Sequence, residues 1–156
     1  MQLREILDRE CVVVPLKAQD KDEAIRCLVD RLAEQSKLQK PEAALSAVME
    51  RERIRSTGIG KGLAVPHGKC DASDDLVLAV GKLDDPIDFE SVDKEPVFLV
   101  ALLISPTGQT GRHIQALAKI CNIVQEDLLR QKARSIAGEQ ELFDLIVGAE
   151  GAAVSS

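Results

Sequence analysis

Aromatic side chains are nearly missing from this chain of 156 residues: they supply 2% of it, and neither tryptophan nor tyrosine occurs. Surfaces on which nucleic-acid bases could stack are therefore scarce. Basic residues are also outnumbered, because 20 Lys and Arg stand against 26 Asp and Glu and leave a formal net charge of −6. Since counterion release by a basic surface drives nucleic-acid binding, we expect no nucleic-acid partner.

Long hydrophobic runs are also absent. The longest apolar run, residues 97–104, is far shorter than the roughly 20 residues that a membrane-spanning helix needs. The amino-terminal segment MQLREILDRE carries charges where a signal peptide would be apolar. The sequence therefore predicts no membrane span and a cytoplasmic location.

Cysteine pairs are missing too. The four cysteines form no CxxC motif, and three of them, Cys11, Cys27 and Cys121, stand among apolar neighbours. This pattern predicts reduced thiols, mostly in the core, instead of a disulfide framework.

The remaining composition is that of an ordinary globular protein, with 45% hydrophobic and 29% charged residues. A chain of this length suits one compact domain, which we predict at residues 1–150. Residues 151–156 are small and have little to bury. We expect them to form a disordered tail.

Helical and strand patterns alternate along the chain, which is typical of an α/β domain. Apolar residues recur at helical spacing in four segments: 21–35, 41–53, from 112 onward and around 142–149. Short apolar or β-branched segments predict strands at 11–16, 63–66, 76–83 and 97–104. Because the last two are apolar throughout, we expect them to be central strands that are covered on both faces.

The segment STGIGKG at 56–62 contains three glycines at alternate positions, and we predict that it forms a loop. Closely spaced glycines expose backbone N–H groups that can hold an anion. Two nucleotide-binding motifs do not fit, because Lys61 is followed by Gly62 instead of Ser or Thr, and the glycine spacing differs from the dinucleotide fingerprint. An ordinary turn and an anion-binding loop both stay open.

Only two histidines occur in the chain, and each stands beside a predicted loop. A neutral imidazole is a competent nucleophile toward phosphorus, which makes His67 a candidate for phosphorylation. His113, near the start of a predicted helix, is either a phosphate-orienting group or an ordinary polar residue. Donors for a phosphate stand nearby in sequence: the N–H groups of Gly58 to Gly62, the hydroxyls of Ser56 and Thr57, and a guanidinium of Arg51 or Arg53.

Other site chemistries fit less well. His67 and Cys70 form an H-x-x-C pair, but no second pair accompanies them. A small metal-binding protein that uses His67, Cys70 and His113 is therefore the weakest alternative. A serine hydrolase is not expected either, because no serine stands in a G-x-S-x-G motif.

The segment RERIRSTGIGKGLAVPHG at 51–68 resembles the active-site segment of phosphotransferase system (PTS) IIA components of the fructose/mannitol and nitrogen-regulatory type. That family pairs a TGIGxGxAxPHG stretch, here Thr57 to Gly68, with a later ISP turn and a histidine that opens a helix. Residues 104–106 and His113 supply both features. The resemblance covers about residues 3–148, and it implies one α/β domain in which helices flank a mixed β-sheet on both faces.

Residue by residue, the resemblance implies that His67 is phosphorylated, that His113 orients and stabilises the phosphoryl group, and that Arg51 stabilises its charge. It also assigns a phosphate loop, made of Ser56, Thr57, Gly58, Ile59, Gly60 and Gly62. No metal belongs to the implied site. One departure from the family stands at 127–138, where a segment rich in Arg and Lys replaces the usual acidic-apolar ending.

The implied activity is that of a phosphotransferase component with a transient phosphohistidine. In the family, the phosphoryl group comes from HPr or its nitrogen-branch counterpart, without nucleotide or other cofactor. It then leaves for a cysteine of a IIB protein or serves in regulation. The loop sequence Arg-Glu-Arg…Ser-Thr-Gly is more similar to nitrogen-regulatory members than to mannitol-type members. This similarity favours a nitrogen-regulatory role over sugar transport. The alternative is a phosphorylation-silent module that regulates a protein partner by binding alone.

Overall fold

The computed structural model describes residues 1–155, with side chains described as far as residue 151. These residues form five helices and six strands, together with short 3₁₀ turns at Leu3–Glu5 and Arg9–Cys11. The strands are β1 (Val12–Leu16), β2 (Gly58–Gly60), β3 (Leu63–Ala64), β4 (His67–Lys69), β5 (Val77–Ile87) and β6 (Val97–Ser105). The helices are α1 (Lys21–Glu34), α2 (Pro41–Ile54), α3 (Thr110–Val124), α4 (Asp127–Ser135) and α5 (Glu139–Ser155).

The six strands form one mixed sheet in the order β1-β5-β6-β3-β2, and β4 also pairs with β6. The central pair, β5 and β6, is antiparallel, whereas β1 runs parallel to β5. β3 and β4 both lie parallel to β6, where Leu63 pairs with Leu99 and His67 pairs with Leu103. They therefore act as two parts of one interrupted strand beside β6, and His67 begins the second part.

Helices cover both faces of this sheet. Side chains of β6 alternate between the two layers: Leu99, Ala101 and Leu103 join the cluster that contains residues of α3, α4 and α5, and Val100, Leu102 and Ile104 join the cluster of α1 and α2. Because both faces are buried, β6 is apolar at every position from Val97 to Ile104. The predicted single α/β domain with a mixed, doubly covered sheet is confirmed.

Most predicted elements occur within a few residues of their expected bounds, but β4 follows the strand predicted at 63–66 and was not itself predicted, and two further segments differ. The segment 56–62 is not a loop throughout, because Gly58–Gly60 forms β2 and pairs antiparallel with β3. Helix α4 occupies much of the basic segment 127–138, for which the sequence indicated no element. Its buried face is narrow, and among its residues only Leu129 and Ala133 are buried. Two such residues are too few to give a recognisable helical pattern of apolar positions.

The final helix, α5, continues past residue 150 to Ser155. It therefore includes most of the segment for which the sequence predicts a tail, and Ser156 lies outside the described residues. The disorder of that segment in solution stays a prediction. Between residues 1 and 155, none of the helices is long and apolar enough to cross a membrane.

Candidate functional site

His67 is the first residue of strand β4, which pairs with β6 and packs against helix α2 through Gly68. Gly68 packs directly on α2, where a Cβ would lie 3.0 Å from the backbone nitrogen of Val48. Because side chains alternate along a strand, His67 and Lys69 project to the opposite side from Gly68. This side also carries Leu103, the partner of His67 in β6, and it is the side on which α3 packs.

A hydrogen bond to the main chain two residues earlier fixes the ring of His67. Its Nδ1 lies 2.8 Å from the carbonyl oxygen of Val65. Since a carbonyl oxygen only accepts hydrogen bonds, Nδ1 must carry the proton in the neutral ring. The Nε2 atom of His67 therefore carries the free lone pair, which is the form that a nucleophilic imidazole requires.

His113 comes to the same place from α3. It is buried, with 5% of its surface exposed, and its Nδ1 lies 2.6 Å from Oγ of Ser105. Ser105 is the last residue of β6 and is fully buried. The end of the central strand therefore orients the ring of the second histidine.

The two imidazoles are neighbours. Their ring centroids are 5.4 Å apart, and the ring planes are tilted by 55°. Two links join the segment after β4 to the start of α3: Asp71 accepts hydrogen bonds from the backbone and hydroxyl of Thr107, and Arg112 pairs with Asp75 at 2.6 Å. These contacts keep both histidines in one site.

Both histidines are neutral at pH 7. Burial lowers the pKa of His113 from 6.5 to about 4, helped by the charges of His67 and Lys69. Burial also lowers the pKa of His67 below 6.5, and the positive charge of Arg51 adds to this effect, although the bond to the Val65 carbonyl opposes it. Two uncharged imidazoles beside basic side chains form a site that favours an anion.

Arg51 supplies part of that positive charge from the last turn of α2. It is half-buried, and its Nη1 donates to the carbonyl oxygen of Arg55 at 2.8 Å. Its charge acts on the pKa of His67, whereas Arg53 is exposed and has no such effect on either histidine. Of these two arginines, Arg51 is therefore the one whose charge reaches His67.

Ser56 and Thr57, which the sequence assigns to a phosphate loop, are engaged in structural hydrogen bonds. The backbone N–H and the hydroxyl of Thr57 both donate to the buried carboxylate of Glu52, at 3.0 and 2.6 Å. The hydroxyl of Ser56 donates to the carbonyl of Phe89 at 2.6 Å and accepts from the N–H of Gly58. These bonds anchor the end of α2 to the start of β2.

The glycines of the predicted phosphate loop extend away from His67. Gly62 accepts hydrogen bonds from Phe98 and Leu99, near the opposite end of β6 from Leu103. Four strand residues at about 3.3 Å each separate Leu99 from Leu103, or about 13 Å. The structure therefore does not bring Gly60 and Gly62 to the histidines.

Packing and turn geometry explain these glycines. Gly62 has a φ of +82°, and a Cβ there would lie 2.7 Å from Cδ1 of Phe98. A Cβ on Gly58 would lie 2.2 Å from Oγ of Ser91. Ile59 packs against the α3 layer of the core. The turn at the tip is closed by Asp93, which accepts from the N–H of Lys61 at 2.8 Å.

The metal-binding alternative gains no support. Within the described residues, no group of three or more His, Cys, Asp or Glu side chains is placed to hold a metal ion. Cys70 is half-buried, and burial raises the pKa of its thiol, so the thiolate that binds metals is disfavoured.

Sequence reasoning missed three residues of this site. Lys69 and Ser105 could have been found from strand alternation, since Lys69 stands two residues after His67 and pairs in register with Ser105. Glu52 lies four residues after Val48 and eight after Ala44, on the buried face of α2. Its position between two arginines concealed that periodicity.

The comparisons with known proteins agree with this geometry. The chain matches the family described as "Phosphoenolpyruvate-dependent sugar phosphotransferase system, EIIA 2" over residues 5–148. It is 33% identical to a "Nitrogen regulatory protein" of Escherichia coli strain K12 over 154 residues, which cover 97% of this chain and 93% of that protein.

Two solved structures share the fold. Nitrogen regulatory protein IIA-Ntr from Neisseria meningitidis superposes with a TM-score of 0.84 at 24% identity, covering 92% of this chain and 98% of that one. An Escherichia coli complex of IIA mannitol and phosphorylated IIB mannitol matches with a TM-score of 0.78 at 21% identity, over 92% of this chain and 99% of that chain. The family match spans the two histidines, the Arg51 helix and the whole sheet, so this chain belongs to the PTS EIIA 2 family.

Proposed function

We propose that this protein is a phosphohistidine carrier that accepts a phosphoryl group on Nε2 of His67. The observation that carries the proposal is the 2.8 Å hydrogen bond between Nδ1 of His67 and the carbonyl oxygen of Val65. This bond leaves the lone pair on Nε2, in a ring that is neutral at pH 7. Membership of the phosphotransferase family supports the chemistry.

The proposed donor is the phosphohistidine of HPr or of its nitrogen-branch counterpart. The lone pair of His67 Nε2 forms a new N–P bond while the N–P bond of the donor breaks. The electron pair of the broken bond returns to the imidazole of the donor. The exchange conserves bond types and needs no nucleotide, metal or oxidant, so the task of the protein is to position the group and stabilise its charge.

Arg51 and His113 are the proposed stabilisers. A phosphoryl group adds about −1.5 to −2 charges at neutral pH, to a chain whose formal net charge is already −6. The guanidinium of Arg51 can pair with two oxygens at once, and the second imidazole stands 5.4 Å from the first, measured between ring centroids. Lys69, on the same side of β4 as His67, adds a further positive charge.

The onward step is proposed from the relatives. The phosphoryl group passes to a cysteine of a IIB protein, or its presence on His67 controls a protein target. Similarity to nitrogen regulatory proteins supports the regulatory branch, and the complex of IIA mannitol with phosphorylated IIB mannitol supports the IIB branch as a general mode of partnership. The proposal includes a cytoplasmic location, shared with the donor.

Intact-mass measurement tests this function. The protein is incubated with phosphoenolpyruvate, enzyme I and several HPr-like carriers, and we expect one added phosphoryl group. His67→Ala should gain none, and His113→Ala should still be labelled slowly. If the wild-type chain gains no phosphoryl group from any carrier, the phosphorylation-silent binding module replaces this proposal. Equal labelling of His67→Ala would move the nucleophile elsewhere.

A further inference from the structure

Ser105 occupies a point where three parts of the site meet. It ends β6, its register partner in β4 is Lys69, and its carbonyl accepts from the N–H of Cys70 at 2.9 Å. Its hydroxyl is fully buried and lies 2.6 Å from Nδ1 of His113. Among the residues whose side chains are described, that imidazole nitrogen is the one hydrogen-bond partner of the hydroxyl.

This hydrogen bond can be made in two ways. In the first, the hydroxyl donates to Nδ1, and the proton of the neutral imidazole is on Nε2. In the second, the Nδ1–H donates to the hydroxyl, and the hydroxyl hydrogen is left buried without an acceptor. A buried donor without a partner is costly, whereas spare lone pairs on an oxygen are tolerated. The surroundings of Ser105 therefore select the first arrangement.

We propose that Ser105 is a positioning residue that donates to Nδ1 of His113, and so holds Nε2–H of His113 ready to bind an oxygen of the phosphoryl group. The two histidines then have opposite tautomers. The Val65 carbonyl keeps a lone pair on Nε2 of His67, and the Ser105 hydroxyl keeps a proton on Nε2 of His113. One ring is a nucleophile and its neighbour is a hydrogen-bond donor. The use made of this donor rests on the proposed function.

The arrangement gives the site a donor that does not depend on a charged imidazole. Because the pKa of His113 is lowered to about 4, the ring is neutral at pH 7 and carries a single N–H group, which stays on Nε2 only if the tautomer is fixed. With the other tautomer, Nε2 would direct a lone pair at the phosphoryl oxygens, and two acceptors would then repel each other. Ser105 thus decides whether His113 helps or hinders transfer.

Other contacts besides this hydroxyl hold the start of α3. Asp71 with Thr107, and Asp75 with Arg112, already attach the start of α3 to the segment after β4. Removal of the hydroxyl should therefore change the tautomer of His113 while the helix stays in place. That difference separates a positioning role from a structural one.

The first test is the tautomer itself, which is read at pH 7 in long-range proton–nitrogen NMR spectra of the unphosphorylated, nitrogen-15-labelled protein. With only two histidines in the chain, the His67→Gln spectrum assigns both. We expect His113 protonated on Nε2 and His67 protonated on Nδ1. Ser105→Ala should give averaged shifts for His113, Ser105→Thr should restore the single tautomer, and Ser91→Ala, which removes another buried serine hydroxyl, should change nothing.

An Nδ1–H tautomer for His113 in the wild type, or an unchanged tautomer in Ser105→Ala, overturns the proposal. The wild-type spectrum decides even if Ser105→Ala does not fold. These spectra need no phosphoryl transfer, so their outcome is independent of whether the proposed function holds.

The second test is kinetic. In Ser105→Ala, kcat for phosphorylation by the carrier should fall by about 10-fold to 100-fold, by analogy with the loss seen when the partner that orients a metal-binding histidine is removed. The KM for the carrier should stay unchanged, and Ser105→Thr should recover most of kcat. A mixed tautomer with an unchanged kcat would show that the hydroxyl does not position the donor.

Discussion

The imidazoles of His67 and His113 lie 5.4 Å apart between ring centroids, tilted by 55°, and each is held by a different kind of partner. His67 bonds to a backbone carbonyl two residues away in sequence, and His113 bonds to a serine at the end of the central strand. The ring of His67 is thus oriented by local backbone, and the ring of His113 by the tertiary fold. This difference gives the two rings separable roles that mutants can test.

Removal of the second ring should slow phosphoryl transfer without stopping it. In His113→Ala, His67 keeps its lone pair and its bond to Val65, but one donor to the transition state is lost. Loss of one such donor typically costs about 10²–10³ in rate. Labelling stopped at successive times after addition of the phosphorylated carrier measures the rate of transfer. His67→Ala, which should take no label, is the negative control. A folded His113→Ala that cannot be labelled at all would show that His113 has a larger role.

Arg51 and Arg53 should differ in their effects. Arg51 acts on the pKa of His67, whereas Arg53 lies two residues on, about 200° around the helix. Arg51→Lys loses the bidentate geometry of the guanidinium, and the loss of one charge-assisted bond predicts a rate lower by about tenfold or more. Arg53→Lys is the matched control and should keep the wild-type rate.

Single-turnover transfer from the phosphorylated carrier, after circular dichroism has confirmed folding, compares the two arginine variants. A deficit confined to Arg53→Lys would mean that the two arginines have been assigned the wrong way round.

Acid should destabilise the fold partly through His113. Its pKa is about 4 in the folded protein against an ordinary value of 6.5, so the unfolded chain binds more protons between these values. The free energy of unfolding should therefore fall as the pH is lowered from about 6.5 to about 4, by at most roughly 3 kcal/mol from this group. Urea unfolding at several pH values gives the free energy of unfolding as a function of pH. This free energy should change less steeply with pH in His113→Gln than in the wild type. The same pH dependence in the two proteins would show that His113 does not contribute to the loss of stability in acid.

Thr57 should matter for stability more than for transfer. Its hydroxyl donates to the buried carboxylate of Glu52 at 2.6 Å, and Thr57→Val leaves that carboxylate with one bond fewer, a cost of about 1–3 kcal/mol. Urea unfolding measures this loss, and labelling should proceed at the wild-type rate. In a double-mutant cycle with Glu52→Gln, the coupling should exceed about 0.5 kcal/mol. A slow but fully stable Thr57→Val would return Thr57 to the phosphate site.

Parts of this protein follow from local sequence. The run at 97–104 is apolar at every position, and it became the central strand β6. Local patterns made His67 and His113 candidates and left the choice between Arg51 and Arg53 open, and the family resemblance selected Arg51. The structure brings the two histidines together, and the charge of Arg51 reaches His67. Their chemical roles stay predictions.

Other parts depend on contacts between distant residues. β2 contains two glycines around a single strand former, Ile59, so its pairing with β3 decides its conformation. Gly62 fits the expectation of an anion loop in sequence, but its backbone lies against Phe98. Ser105 and His113 meet because the start of α3 packs at the end of β6. Such features follow from tertiary packing, which residue patterns do not encode.

The most direct measurement of the central claim is the site of the N–P bond. The protein is labelled with nitrogen-15 at its histidines, phosphorylated by its carrier, and examined for coupling between phosphorus and each ring nitrogen. The account predicts coupling to Nε2 of His67, with Nδ1 of the same ring still protonated and bonded to the Val65 carbonyl. Coupling to Nδ1 of His67, or to either nitrogen of His113, would contradict it.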